Sequence, residues 1–437
     1  MKPVVNIMWF RRDLRLHDNA ALYYALTDTN PVLPVFIFDK NILDKLEDKT
    51  DKRVNFIYSV LVALQQQLVE LGSSFEIMYA TPIEAFEKLL LNYTIKKVFA
   101  NSDYEQYAKD REVAIEQLLS KHHATIQLFK DQVIFEKDEI VKNDGMPYTV
   151  FTPYSRKWKE KLSSFFLQTY HTEKYFYNFY KQQPQKIIAI HDFGFISSAT
   201  EISPAIVDEN SIKKYSDLRN YPALNGTSKL SVHLRFGTIS IRQLAAKALQ
   251  LNEVFLNELI WRDFYQMILW HFPHINKGLA FKKQYDLINW RNNETEFKLW
   301  CEGKTGYPIV DAGMRELNET GFMHNRVRMI VASFLVKHLL IDWRWGEAYF
   351  AKKLLDFDFA SNNGGWQWAA GSGCDAAPYF RIFNPLLQTK KFDKDLQYVR
   401  KWVPELDSFQ YPQPIVIHEK ARTRCLQAYA EILQKVS

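Results

Sequence analysis

The first 130 residues alternate short apolar, β-rich runs with amphipathic stretches. Runs at 4–10 (VVNIMWF), 31–39 (PVLPVFIFD), 74–80 (SFEIMYA), 96–102 (KKVFANS) and 124–130 (ATIQLFK) predict strands. Segments 55–72 and 111–123 predict helices between them. Such alternation predicts a parallel sheet with helices on both faces, a Rossmann-like α/β domain over 1–130. Residues 131–206 mix helical pieces such as SRKWKEKLSSFFLQTY with polar stretches such as KQQPQK, and predict an inter-domain connector. From 207 to 437 strand signals fade. Amphipathic periodicity at 240–251, 253–271, 308–319, 322–340 and 344–355 predicts an all-α domain.

The totals fit that division. A chain of 437 residues is expected to form about two domains. Aromatics reach 15%, with 11 Trp and 23 Tyr, enough for a large core and for a stacking surface besides. The formal charge of +6 permits a polyanionic partner without demanding one. The three cysteines, Cys301, Cys374 and Cys425, lie far apart, without zinc spacing or a disulfide ladder, as expected of a cytoplasmic protein. No apolar run reaches the ~18 residues of a membrane span, and the first residues do not begin a signal peptide. Neither G-x-G-x-x-G nor a P-loop occurs, which removes two common nucleotide sites.

Chemistry-bearing residues gather in the helical half. In NELIWRDFYQMI, Glu258, Trp261, Arg262 and Tyr265 share one helical face. The pattern alone fits a solvated face as well as a cavity wall; Trp is uncommon on a solvated face, which tilts the reading towards a cavity wall. In the segment 321–340, Asn325, Arg328 and Met329 share a face; taken alone they read best as a helix with one Arg–acid pair and ordinary core residues, with a cavity polar on one side and apolar on the other as the alternative. In NGTSKLSVHLRFG, Thr227, Ser228 and Ser231 follow Gly226 at an expected helix start, where an anion would be favoured or the hydroxyls would simply cap. The stretch DFDFASNNGGWQWAAG sets Asp356, Asp358 and Asn362 beside Gly364 and Gly365, with Trp366 and Trp368 after them. Glycines there would let backbone approach a flat ring.

Together these segments resemble the photolyase/cryptochrome flavoprotein family. The likeness runs from IMWFRRDLRLHDNAAL at 7–22 to VRKWVPEL at 399–406 and is densest through EGKTGYPIVDAGMRELNETGFMHNRVRM and DFDFASNNGGWQWAAGSGCDAAPYF. The resemblance implies FAD, active as FADH−, within the helical domain. It implies that Tyr215, Thr227, Ser228, Lys229, Leu230 and Ser231 hold its phosphates and ribityl region, that Asp356 and Asp358 contact ring or sugar, that Arg328 pairs with Asp356, and that Asn362 faces flavin N5. Trp366, Trp343 and Trp290 would carry electrons between flavin and solvent. Trp261 and Trp368 would flank damaged bases, and Glu258 would hydrogen-bond the lesion.

Asn325 and Met329 stand where (6-4) photolyases and animal cryptochromes carry His, so the resemblance is to class I cyclobutane pyrimidine dimer photolyases. Arg219, Arg262, Arg326, Arg381, Gln388 and Lys391 would touch UV-damaged DNA, the implied partner of a monomer. The implied activity is light-driven repair of pyrimidine dimers. A cryptochrome-type blue-light receptor and a DASH-type photolyase for single-stranded DNA are the alternatives. The short stretch after Leu406 speaks against the first. The kept Asn-Gly-Gly-Trp-Gln-Trp speaks against the second. Tyr107 and Ala108 replace the Asn-Glu pair that binds folate in some members. Folate is therefore not expected, and a deazaflavin, an FMN or no antenna remain open.

Overall fold

The computed structural model describes residues 1–198 and 202–436. Contacts divide the chain into two units. The first comprises Met1–Glu136, Leu162–Val207 and Leu230–Lys247; the second comprises Lys137–Lys161, Asp208–Lys229 and Ala248–Ser437. This division cuts across the boundaries read from sequence. The stretch 131–206 does not act as one connector: its parts pack into one unit or the other. Residues 230–247, placed by periodicity in the helical half, pack with the sheet.

The first unit is built on five strands: β1 (Val4–Phe10), β2 (Val32–Asp39), β3 (Glu76–Ala80), β4 (Thr94–Asn101) and β5 (Thr125–Phe129). Their order is β3-β2-β1-β4-β5, and every pair is parallel. Six of the seven β1 residues are buried, because a central parallel strand is covered on both faces. The helices α1 (Ala20–Leu26), α2 (Lys52–Glu70), α3 (Pro82–Asn92) and α4 (Gln106–Ser120) return the chain between strands. α3 starts on a reciprocal cap: Thr81 accepts from Glu84 N, Glu84 accepts from Thr81 N, and Pro82 takes the first helical position.

A buried charge network ties distant segments of this unit together. Arg242 donates to Asp18 at 3.0 Å and to Asp131 at 2.8 Å, and Arg15 donates to the other Asp131 oxygen at 2.7 Å. Both aspartate side chains are 1% exposed. These pairs are the physical reason that residues near 240 belong to the sheet unit.

The second unit is helical. Its main members are α5 (Glu253–His271), α6 (Glu294–Glu302), α7 (Pro308–Thr320), α8 (Asn325–Ser333), α9 (Trp343–Lys353), α10 (Phe359–Ala370) and α11 (His418–Val436). A π-helical turn, Phe334–His338, follows α8, so the amphipathic run expected over 322–340 is two pieces. The core gathers Trp300, Val327, Val331, Leu335, Phe350 and Trp366 from α6, α8, α9, α10 and the π turn. Among the described residues no helix is long and apolar enough to cross a membrane.

Candidate active site

Helix α5 sets one wall. Asn252 caps it, accepting from Val254 N at 2.9 Å and Phe255 N at 3.1 Å. Leu256, Ile260, Phe264 and Met267 are buried, while Glu258, Trp261, Arg262 and Tyr265 are all half-buried. The stripe is therefore neither core nor open surface. The Glu258 carboxylate accepts from Arg219, whose guanidinium also lies 5.6 Å from the centre of the Tyr215 ring. Burial raises the Glu258 pKa, and the opposing pull of Arg219 and then Arg326 does not cancel it. The side chain nevertheless keeps 34% of its surface open.

Three guanidiniums, of Arg219, Arg326 and Arg381, gather in this region. Arg326 donates to Asn220 at 2.6 Å and to the Met329 sulfur at 3.6 Å. Burial lowers its pKa first, and the charges of Arg219 and Arg381 lower it further. Asn325 is exposed at the first position of α8, and Met329 is half-buried one turn on. Gln388 is half-buried and Lys391 exposed on the helix Pro385–Phe392. Trp261 stacks on Phe151, with ring centroids 3.7 Å apart and planes 3° from parallel. Phe151 was invisible to motif reading because it lies far away in sequence; its only signal is an aromatic opening the helical piece 151–161. Trp368 lines a small neighbouring cavity with Tyr265, Asn363, Gly364 and Cys374.

The second cluster sits at the start of α10. Asp358 caps that helix, accepting from Ser361 N at 3.1 Å, and also accepts from Gln266 Nε2 at 3.2 Å. Asp356 receives Arg328 on both oxygens, at 2.9 and 3.1 Å. Asn362 donates to the Glu347 carboxylate at 2.9 Å and to the Glu347 carbonyl at 3.1 Å. Burial raises Glu347, with Asn362 opposing. Glu347 was also missed in the sequence, where it stands four residues after Trp343.

The segment 227–231 is divided between the two units. Thr227, Ser228 and Lys229 belong to the second, whereas Leu230 and Ser231 open the short helix Ser231–Phe236 of the first. Leu230 is the N-cap residue of that helix and makes no side-chain cap bond. Tyr215, half-buried, meets Phe255 edge to face at 5.1 Å, and burial raises its pKa.

One expectation needs correcting. A Cβ on Gly364 would stand 2.3 Å from the Tyr265 ring, so Gly364 lets α10 approach α5; the flat ring it serves is a tyrosine. A Cβ on Gly365 would meet no protein atom. Trp366 also needs a glycine: a Cβ on Gly346 of α9 would lie 2.1 Å from its indole. Trp366 is 2% exposed, Trp343 is 1% exposed, and Trp290 is half-buried beside Tyr429 at 6.2 Å.

The residues present suit FAD. With both Asn362 amide hydrogens committed to Glu347, its Oδ1 is left as an acceptor for a protonated ring nitrogen. Beside Asp358, Gln266 Oε1 is buried and meets no donor among the described residues, a demand that a ligand N–H or O–H would meet. In the first unit, Tyr107 donates its hydroxyl to Asp39 at 2.6 Å. Among the described residues no group of His, Cys, Asp and Glu is arranged to hold a metal ion.

Comparison with known proteins agrees with this geometry. Residues 6–173 match the DNA photolyase family model, and residues 255–410 match the FAD binding domain of DNA photolyase. The deoxyribodipyrimidine photo-lyase of Vibrio cholerae is 36% identical, over 97% of this chain and 99% of that protein. The crystal structure of a class III photolyase from Agrobacterium tumefaciens superposes with a TM-score of 0.87 at 34% identity, over 99% of this chain and 98% of that one. An archaeal photolyase from Sulfolobus tokodaii, solved with two FAD molecules, gives 0.81 at 31% identity, over 98% of this chain and all of that one. With sheet, helical unit and flavin-compatible residues in place across the full length, this chain belongs to the DNA photolyase family.

Proposed function

We propose that this chain uses light to reverse cyclobutane pyrimidine dimers in UV-damaged DNA. The observation that carries the reading is Glu258: a half-buried carboxyl that accepts from Arg219, with the charges of Arg326 and Arg381 nearby. Cations that repel one another there attract a phosphate backbone, and Lys391 extends the basic surface. A dimer is poorly stacked, so turning it out of the duplex costs less than for an intact pair. Glu258 donates or shares a proton with the carbonyl of the lesion as charge develops on it. Asn325 and Met329 complete a pocket with one polar and one apolar side, and Trp368 with Trp261 bounds the bases. Phe151 covers one face of Trp261, which leaves that indole to act through its edge and other face.

When bound, FAD in its reduced form supplies the light-driven electron that splits the dimer and takes it back. Asn362, held by Glu347, keeps a carbonyl oxygen where the reduced ring presents its N–H. Arg328 and Asp356 form a fixed pair beside it. Tyr215 and Thr227–Ser231 hold the phosphates and ribityl region. Trp366, Trp343 and Trp290 supply electrons when the flavin has been oxidised. With Tyr107 bonded to Asp39 where some members carry the folate-binding pair, we expect no folate there; a deazaflavin, an FMN or no antenna are the alternatives. The cysteines are free thiols, in keeping with a monomer working in a reducing cytoplasm.

The test is repair of a dimer-containing duplex by the flavin-loaded, reduced protein under blue light. Glu258→Gln is expected to keep flavin and DNA binding and to lower repair per absorbed photon severalfold. An unchanged yield removes Glu258 from the chemistry. A colourless protein that takes up no FAD ends the reading altogether.

A further inference from the structure

The pocket proposed above has two indole walls, Trp261 on α5 and Trp368 on α10. Trp261 is backed by the first residue of another helix, Phe151–Lys161. In that helix Phe151, Tyr154 and Trp158 are spaced i, i+3 and i+7, so they share one face, and that face lies on α5. Tyr154 and Trp158 are buried. Trp158 donates its indole N–H to Asp263 at 2.9 Å, and Tyr154 meets the Phe264 ring at 5.1 Å. These contacts pin the middle of the helix. Its first turn is the part that reaches the pocket: Phe151 stacks on Trp261 at 3.7 Å and meets Phe264 edge to face at 5.9 Å.

The first residue of a helix has no partner for its amide N–H within that helix. Asp375, 224 residues further on, supplies one: its carboxylate accepts from Phe151 N at 3.0 Å. The helix dipole also favours a negative charge at that end. Asp375 lies on the segment that follows α10. Gly371 ends α10 in the left-handed conformation, and Gly373 N returns to the Gln367 carbonyl at 3.1 Å. The segment is therefore folded back on the helix that carries Trp368. Asp375 and Trp368 line the same small cavity with Tyr265, whose ring lies 5.5 Å from that of Trp261. One hydrogen bond thus joins the support of one tryptophan wall to the other.

We propose that Asp375 and Phe151 are positioning residues that fix the plane of Trp261 and its separation from Trp368, and that this fixed gap makes the pocket favour a dimer over ordinary bases. The proposal rests on the reading of Trp261 and Trp368 as the walls that bound the lesion. Two covalently linked pyrimidines form a rigid body, so their contact with the walls is strongest when the walls are already in place. Undamaged duplex is held through its phosphates, outside the pocket. The Asp375–Phe151 clasp therefore bears on selectivity rather than on overall affinity for DNA.

The experiment measures, in the dark, binding of the flavin-loaded protein to a duplex carrying a dimer and to the same duplex without it. Asp375→Ala is expected to weaken binding of the dimer duplex severalfold and to leave flavin content and binding of the undamaged duplex unchanged. A merely structural role would lower all three together. Asp375→Asn keeps a carbonyl oxygen as acceptor and is expected to restore most of the preference. Phe151→Leu removes the stack and is expected to cost as much as Asp375→Ala. Because the two losses share a cause, the double variant is expected to bind no worse than the weaker single one. The clasp is overturned if Asp375→Ala weakens both duplexes equally or neither, or if the two losses add. Should Asp375→Ala fold poorly, Phe151→Leu set against Phe151→Tyr, which keeps the stack, decides the same question: equal preference in those two overturns the clasp. An unaltered protein without any preference for the dimer duplex would overturn the reading of the pocket itself.

Discussion

The two units differ in how most of their buried acids are held, with Asp13 of the sheet unit as the exception. In the sheet unit, burial pushes Asp131 and Asp103 up, but the guanidiniums of Arg15 and Arg242, and of Arg12 and Arg235, outweigh it and leave both low. In the helical unit, burial prevails at Glu258, Glu347, Asp311 and Glu316, which all end up raised. A neutralised acid is a fastener. An acid that holds its proton more tightly is available to donate it to a ligand. Glu258 and Glu347 stand in the candidate site, whereas Asp311 and Glu316 fasten Thr305, Tyr411 and Tyr398 within the core.

The strongest way to break this contrast is to unfasten the scaffold. Arg242→Leu leaves Asp18 and Asp131 buried without their shared cation and is expected to cost about 3–5 kcal/mol. Urea unfolding measures the loss, and light-driven repair per folded molecule should be little changed. Equal losses of stability and repair per folded molecule would erase the distinction between the units. A smaller effect is expected within the site. Gly364→Ala forces a Cβ against Tyr265, whose ring lies 5.5 Å from Trp261. Overpacking of this kind costs about 1–3 kcal/mol, partly offset by the better helix former. Here repair should fall more than the melting temperature suggests, since the displaced ring touches the pocket wall.

The smallest effect is one of sign. Acids with lowered folded pKa values, Asp103 and Asp131, give stability that is present above their unfolded value of about 3.9 and is lost as pH falls through the folded value. Asp28, brought to about 2 as Lys97 and Asn6 override burial, adds to this, whereas Asp13, raised by burial, opposes it. Raised acids such as Glu347 and Glu316 do the reverse: their contribution is present below the unfolded value and is lost as pH rises through the folded one. Native-state hydrogen exchange, corrected for intrinsic rates, should therefore show protection falling in the sheet unit relative to the helical unit as pH drops below about 4. A parallel response in both units would contradict the contrast.

Much of this was legible along the chain. Apolar runs at 4–10 and 31–39 are the buried strands β1 and β2, because a central parallel strand needs no alternation. The stripe from Glu258 to Tyr265 is half-buried as its spacing implied, since four residues at helical intervals share a face wherever the helix lies. Phe151, Glu347 and Asp375 were not legible. Each acts on a partner distant in sequence, and nothing in the local pattern of a lone Phe, Glu or Asp names that partner. The same holds for Gly364, whose neighbour Tyr265 lies nearly a hundred residues earlier.

Local periodicity and ordered motifs were thus enough, from the chain itself, for the strands, the helical half and the family likeness, because these depend on residues a few positions apart. Only the folded molecule decided that residues near 240 join the sheet through Asp18 and Asp131, that Glu347 holds Asn362, and that Phe151 lies on Trp261. Those partners meet because packing brings them together, and the energy of a buried charge or an indole contact depends on separation in space, to which separation along the chain is no guide.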